Sequence, residues 1–220
     1  FTTVQKLILK KNLFDSTLQG LVNCAIMYQI NLMTDVLSFL KTRRSRPAKV
    51  LTAPVPDKVA LEELLIIAAR TPDHGKLEPW RFIVLEKPAL RRLAILARSL
   101  AEAVGPKVVD ADKSSGQYET GTLAVVVVES PKECHKFPDI EQTYSAGAVC
   151  LSLLNAALAS GWGANWLSGW ASHQQKFCSE GLGLEPHERV AGIVHIGTGP
   201  AEMPDRPRPN VSALTEWVDL

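Results

Sequence analysis

A basic turn early in the chain has the side chains needed to hold a cluster of anionic oxygens. Residues 43–46 read Arg-Arg-Ser-Arg, so three guanidinium groups and one hydroxyl follow one another. Guanidinium groups bind phosphate through paired, charge-assisted hydrogen bonds. The alternative is a solvated run of charge, because Arg also suits the last turn of a helix. The turn alone therefore leaves phosphate binding and plain solvation both open.

A second cluster combines a cation, a carboxylate and an imidazole in one short turn. Residues 70–75 read Arg-Thr-Pro-Asp-His-Gly and lead into the apolar segment that begins at Trp80. A loop between a buried helix and a strand is a common place for binding residues. The alternative is structural, with Asp73 capping its own turn and His74 bonded to backbone. Spacing alone favours the structural interpretation slightly.

A third cluster is rich in tryptophan and glycine. Three of the five tryptophans lie within residues 161–170, which read GWGANWLSGW. Flat aromatic surface beside glycines can form the wall of a site for a planar ligand. Ordinary core packing explains the same residues equally well at this level.

No established catalytic or metal-binding motif stands out. The sequence has no G-x-S-x-G, no Walker loop, no G-x-G-x-x-G after a strand and no H-E-x-x-H. Its four cysteines form no C-x-x-C pair, which favours reduced thiols in a cytoplasmic protein. Lys plus Arg number 24 against 23 for Asp plus Glu, so no overall charge draws the chain to nucleic acid or anionic lipid. We therefore expect no metal site and no nucleic-acid partner, and we identify no catalytic residue.

A long uncharged stretch raises the question of a membrane span. From residue 142 to residue 175 the chain has no Asp, Glu, Lys or Arg. Ser145, Ser152 and Asn155 interrupt its apolar run, and Gly161 follows. These interruptions favour a helix buried inside a globular protein or against a second subunit.

Alternating strands and helices must position the three clusters. The apolar periodicity after Asp57 predicts a helix that stops before Pro72, and Pro88 opens another. Residues 83–85 are apolar on both faces, which predicts a central position for the first strand. The predicted strands are residues 80–86, 122–129, 164–168 and 189–197.

Taken in order, the clusters resemble the FMN-dependent nitroreductase family, and in particular its short NAD(P)H nitroreductase branch. The shared motifs are R-R-S-R, A-R-T-P-D-H-G-x-L-x-P-W-R-F, S-A-G-A-V-x-L-S-L-L-N-A-A, G-W-G-A-N-W-L-S-G, G-x-x-x-I-G-T and R-P-R-P. The P-D-H-G-x-L-x-P-W block is the most specific of them. The resemblance spans residues 33–220 as one FMN-binding domain and leaves residues 1–32 outside it as an N-terminal extension.

The resemblance implies an α+β fold and a redox function. The expected architecture is a central sheet, mostly antiparallel or mixed, flanked by helices in an intertwined homodimer with FMN at the subunit interface. The expected reaction takes hydride from NADH or NADPH and reduces nitroaromatics, quinones or an unidentified small-molecule acceptor, in the cytoplasm and with no membrane partner. Flavin carries the hydride chemistry, so the protein needs only to hold it and leave one face open.

The resemblance also implies a set of flavin-binding residues. Residues 43–45 match the segment at the flavin's phosphate and ribityl end, and Arg208 is a further phosphate ligand. Arg70 and His74 match positions that reach the flavin from the other subunit, and residues 166–168 match the backbone-rich segment beside the isoalloxazine ring. The full set is Arg43, Arg44, Ser45, Arg70, His74, Trp166, Leu167, Ser168 and Arg208.

One position departs from the family pattern. Relatives often carry Arg where this chain has Leu167, so the site is more apolar here and the class of acceptor is left open. Residues 156–161 match a stretch assigned to the nicotinamide nucleotide in relatives. The alternative to an enzyme is a non-catalytic flavin-binding or storage protein on the same fold.

Overall fold

The computed structural model describes residues 35–219, so the expected N-terminal extension, residues 1–32, and the boundary at residue 33 lie outside the described residues. The chain divides into two units between Arg43 and Arg44. In the first unit, residues 35–42 are helical, and the Arg43 amide closes the last turn by donating to the Phe39 carbonyl at 2.7 Å. The second unit contains the sheet and the remaining helices.

The helices of the second unit begin and end where the sequence supplies caps. They are α1 (Lys58–Ala68), α2 (Lys87–Val104), α3 (Ala111–Thr120) and α4 (Asp139–Ala159). The carboxylates of Asp57 and Asp110 accept amide hydrogen bonds in the first turns of α1 and α3. Pro88 stands in the first turn of α2, and Gly105 ends that helix with a φ of +84°.

Four strands form one sheet in the order β1-β2-β4-β3, with every neighbouring pair antiparallel. They are β1 (Trp80–Glu86), β2 (Leu123–Glu129), β3 (Gly163–Leu167) and β4 (Arg189–Gly197). The predicted α+β class and the four predicted strands are confirmed, and the sheet is antiparallel throughout.

Two apolar layers enclose the sheet. Along β2, Val125 and Val127 pack towards α1 and α4, whereas Val126 and Val128 pack towards α2 and α3. Every residue of β2 is buried, because helices cover both of its faces and strands flank both of its edges. This double coverage explains why the strand is an uninterrupted apolar run.

The predicted central position of β1 is wrong. β1 pairs with β2 on one side and forms an edge of the sheet among the described residues. Its residues are apolar on both faces because helical layers cover both faces, with Phe82 packed in one layer and Leu85 in the other. Apolar faces therefore report the layers above and below a strand, and they carry no information about its neighbours within the sheet.

Candidate functional site

The basic turn, residues 43–46, is tied through backbone carbonyls to the Pro-rich tail, the segment from Thr198 onward. Arg44 Nε donates to the Pro204 carbonyl at 3.1 Å. Arg46 Nε and Nη2 donate to the carbonyls of Pro200 and Ala201, each at 2.9 Å. The two arginines are linked as well, since Arg46 Nη1 donates to the Arg44 carbonyl at 2.7 Å. These bonds hold the tail beside the turn.

Arg208 of the tail bonds a carboxylate on which the charge of Arg44 also acts. Arg208 Nη2 donates to Asp205 Oδ1 at 2.7 Å. The pKa of Asp205 lies below its usual value, first because its carboxylate accepts the Arg206 amide, then because it accepts from Arg208, and the charge of Arg44 adds to the effect. We call this cluster of Arg44, Asp205 and Arg208 the basic corner. Two of the predicted phosphate ligands, Arg44 and Arg208, thus act on one anion that the chain itself supplies.

The edge strand β3 is bonded to the basic turn near its first residue. The Arg46 amide donates to the Ala164 carbonyl at 2.9 Å, which joins the basic turn to β3. On β3, the Trp166 indole lies across Gly192 of β4, beside Cys150 of α4, and remains 38% exposed. Because Gly192 has no side chain, the indole can lie flat on the sheet.

Core packing accounts for part of the tryptophan cluster. Trp162 packs against the layer that contains α1 and α4, and Trp170 packs against the layer that contains α2 and α3. Trp166 and Leu167 are only partly covered, and Ser168 is half-buried at the point where β3 ends. The predicted ring-binding segment is therefore accessible along this edge of the chain.

Residues 70–75, which we call the histidine turn, form hydrogen bonds with the residues that follow them and with the start of α4. Asp73 accepts the Glu78 amide at 2.6 Å, which is the structural role that spacing favoured. His74 bonds through Nδ1 to a carboxylate oxygen of Glu141 at 2.6 Å, where backbone was expected, and its ring stacks on Phe137 with centroids 3.6 Å apart. Gly75 has a φ of +78° and lies directly against Phe137, so a side chain there would clash.

Hydrogen bonds further along α4 fasten the chain on either side of Pro72. Ser145 donates to the Pro72 carbonyl at 2.9 Å, and the hydroxyls of Thr71 and Ser152 lie 3.0 Å apart. Arg70, which immediately precedes this segment, is exposed, and its guanidinium bonds to none of residues 35–219. The turn thus presents an available cation beside a fixed imidazole.

A single chain does not bring all the predicted residues together. His74 contacts Glu141 in the first turn of α4, whereas Arg46, which bonds the Arg44 carbonyl, also bonds Ala164, just beyond the other end of that helix. The distance along α4 from Glu141 to Ala159 is about 27 Å, at a rise of ~1.5 Å per residue. The structure therefore unites Arg44 with Arg208 and separates both from His74.

Three cavities of this chain are lined by other residues. They measure about 500, 620 and 790 Å³ and open beside α2, between α1 and β1, and beside the start of α4. Within residues 35–219 no group of three or more His, Cys, Asp or Glu side chains could hold a metal ion. No helix in that range is long and apolar enough to cross a membrane.

Sequence reasoning missed two residues, Asp205 of the basic corner and Gln117. Gln117, on α3, donates from Nε2 to the Ser168 carbonyl at 2.7 Å across a sequence separation of 51 residues. A polar residue on a short polar helix gives no sequence signal of such a contact.

Comparison with known proteins identifies the family. The Nitroreductase family model matches residues 40–198. The chain is 32% identical over 164 residues to "Putative NAD(P)H nitroreductase YdjA" of Escherichia coli K12, covering 74% of this chain and 88% of that protein. It is 35% identical over 169 residues to a "Putative NAD(P)H nitroreductase" of Haemophilus influenzae, covering 75% and 89%.

Solved structures share the fold. A nitroreductase-like family protein from Bacillus cereus aligns with a TM-score of 0.68 and 23% identity, covering 84% of this chain and 96% of that one. A structure described as a "putative nitroreductase in complex with fmn" from Desulfovibrio desulfuricans aligns with a TM-score of 0.64 and 22% identity, covering 84% and 97%. With the sequence matches, these likenesses show that the chain belongs to the nitroreductase family.

Proposed function

We propose that this protein is an FMN-dependent oxidoreductase that takes hydride from NADH or NADPH. The proposed acceptors are nitroaromatics, quinones or another small molecule that fits an open flavin face. Membership of the nitroreductase family supports the oxidoreductase class. The names of the relatives support the nicotinamide donor, and the FMN-bound structural neighbour supports the flavin.

The basic corner carries this proposal. There Arg208 bonds the Asp205 carboxylate, whose side chain is 66% exposed, and the charge of Arg44 acts on the same carboxylate. An exposed carboxylate can move away, and a phosphate would then take over the same two cations with more acceptor oxygens. Arg44 and Arg208 would thus bind the flavin's phosphate, with Arg43 and Ser45 completing that end of the site.

The outer edge of β3 is the proposed place for the flavin ring. Trp166 and Leu167 lie on a strand that pairs on one side, with β4, among the described residues, and Ser168 follows directly after it. Such an edge offers backbone donors and acceptors to a planar heterocycle. When bound, FMN would supply the hydride chemistry, while these residues bind it, orient it and limit the access of water.

The proposed assembly is a homodimer, because the histidine turn and the basic corner lie at opposite ends of α4 within one chain. Arg70 and His74 would reach the flavin held by the other subunit. With its Nδ1 bonded to Glu141, His74 keeps Nε2 available for a ligand. Large apolar residues exposed on α1 and α4 support an interface on these helices: Ile66, Ile67, Tyr144 and Leu151.

Flavin binding and reduction test the proposal directly. Purified protein is incubated with excess FMN, desalted, and mixed with NADH or NADPH in the absence of oxygen. We expect the protein to retain FMN and the visible flavin absorption to bleach. Protein that neither retains FMN nor bleaches it with either donor would rule out the function.

A second function is a flavin-binding or storage protein without turnover. Leu167 favours it, because an apolar side chain stands where relatives often carry Arg. The same experiment separates the two functions: tight FMN retention with no bleaching by either donor identifies the storage protein. Bleaching followed by electron transfer to an added quinone identifies the enzyme.

A further inference from the structure

The half-buried side-chain amide of Gln117 connects the buried His195 of β4 to the end of β3. Gln117 of α3 is half-buried and bonds through both ends of its amide. Its Nε2 donates to the Ser168 carbonyl at 2.7 Å, and its Oε1 lies 3.3 Å from His195 Nε2. His195 is 1% exposed and stands on β4, on the side of the sheet that faces α3. The three groups form one continuous chain of hydrogen bonds.

The donor and acceptor roles in this chain are determined. The Ser168 carbonyl can only accept, so the Gln117 nitrogen must face it and the Gln117 oxygen must face His195. His195 therefore carries its proton on Nε2 and donates to Gln117. Its Nδ1 has no hydrogen-bond partner, which fits a neutral imidazole with a single proton.

Gly169 lies directly against the Gln117 amide, which leaves no space for a side chain at this position. Gly169 has a φ of +89°, and a Cβ placed on it would lie 2.6 Å from Gln117 Nε2. Glycine is thus required both by the backbone conformation and by the amide beneath it. On the other side, the Ser172 hydroxyl donates to the Gly169 carbonyl at 2.8 Å. Side chains therefore hold the turn from two directions.

Because the Ser168–Gly169 peptide is planar, the hydrogen bond from Gln117 to its carbonyl also fixes the direction of the Gly169 N–H. The peptide between Ser168 and Gly169 is trans, so its C=O and N–H point in opposite directions. With the carbonyl drawn towards Gln117, the Gly169 N–H points away from α3. This N–H follows directly on the proposed ring-binding segment, residues 166–168.

We propose that Gln117, supported by His195, is a positioning residue that orients the Ser168–Gly169 peptide so that the Gly169 N–H donates to an acceptor atom of the bound flavin ring. The proposal rests on the proposed function. Neither Gln117 nor His195 touches the flavin, and both act through the backbone of the turn.

Replacement by methionine tests the proposal. Gln117→Met keeps the length of the side chain and removes both hydrogen bonds. We expect the Kd for FMN, measured by quenching of flavin fluorescence, to rise tenfold or more. We also expect the visible circular dichroism of the bound flavin to change, because the ring loses a fixed donor.

Gln142 offers a matched control. It is buried, and its amide likewise makes two hydrogen bonds, to both backbone groups of Lys132 at 2.8 and 2.9 Å, in a loop outside the proposed site. Gln142→Met should lower the melting temperature as much as Gln117→Met does and leave the Kd for FMN within twofold of wild type. Equal Kd values for both variants would overturn the positioning role.

The His195→Leu variant and hydrogen exchange in flavin-free protein provide two further tests of the proposal. His195→Leu should weaken FMN binding less than Gln117→Met, and the double variant should be no weaker than Gln117→Met alone, because the two residues act in one chain. Fully additive losses would contradict this. Hydrogen exchange of the peptide spanning residues 168–174, in protein without flavin, should be at least tenfold faster in Gln117→Met than in Gln142→Met.

The exchange measurement separates two kinds of failure. If wild-type protein binds no FMN but exchange accelerates in Gln117→Met, the proposed function is wrong and Gln117 still orders the turn. If wild type binds FMN and Gln117→Met matches it in Kd and circular dichroism, the positioning proposal is wrong and the function stands.

Discussion

Burial of His195 predicts a specific loss of stability in mild acid. The imidazole is 1% exposed and its Nδ1 has no hydrogen-bond partner, so burial lowers its pKa to about 4, against an ordinary value of 6.5. The unfolded chain therefore binds a proton between these two pH values while the folded chain does not. Stability is retained above about pH 6.5, falls as the pH drops towards about 4, and levels off below that.

The size of the effect follows from the two pKa values. A tenfold difference in proton affinity corresponds to about 1.4 kcal/mol, so the drop from 6.5 to about 4 corresponds to about 3 kcal/mol of unfolding free energy. Because the side chain is almost wholly buried, solvent screening takes little from this value. The Glu188 carboxyl, whose pKa the hydrogen bond from Arg81 lowers to about 2, loses its contribution at lower pH.

Urea denaturation of wild type and His195→Leu across this pH range is the assay. Both proteins are compared at one fixed concentration, so that any association contributes equally. We expect the free energy of unfolding of wild type to fall by about 3 kcal/mol more than that of the variant between about pH 7.5 and about pH 4. Parallel curves for the two proteins would refute the reasoning.

Three further predictions concern the basic corner, the turn after β3, and the ion pair between the buried Glu129 carboxylate and the exposed Arg189 guanidinium. Arg44→Ala should weaken FMN retention by about 1–3 kcal/mol, measured by equilibrium dialysis, because a charge-assisted hydrogen bond is lost; unchanged affinity would remove Arg44 from the site. Gly169→Ala should lower the unfolding free energy by about 1–3 kcal/mol, since its Cβ would clash with Gln117 at a positive φ; an unchanged melting temperature would contradict this. Arg189→Ala should destabilise by about 3 kcal/mol and Glu129→Gln by about 1, because the Glu129 side chain is 3% exposed and that of Arg189 is 63% exposed. Thermal denaturation of both variants shows which one is less stable. A less stable Glu129→Gln would show that the buried Glu129 carboxylate does not need Arg189.

Local signals in the sequence predicted most of the fold. The β-branched run of residues 123–129 could only be a buried strand, and Asp57 and Pro88 marked helix starts where the structure has them. The neighbours of β1 could not be predicted in the same way. Strand pairing depends on which segments lie next to one another in the sheet, and the composition of one strand does not predict its neighbours.

The candidate site was predictable only in part, for a related reason. The motifs indicated Arg44 and Arg208, and the structure does bring these two together. Asp205, which stands between them, and Gln117, which holds the end of β3, were both missed. Each acts on a partner through geometry that an isolated sequence segment does not specify. The roles of the predicted residues in binding flavin stay predictions.

The links between the basic turn and the tail place few demands on the identity of the tail residues. The acceptors that Arg44 and Arg46 use there are main-chain oxygens of Pro200, Ala201 and Pro204. Every amino acid supplies such an oxygen, so substitutions along this stretch can accumulate while its path past the turn is retained. Substitutions should accordingly be tolerated at Pro200, Ala201 and Pro204 and restricted at Arg44 and Arg46, which bond these carbonyls.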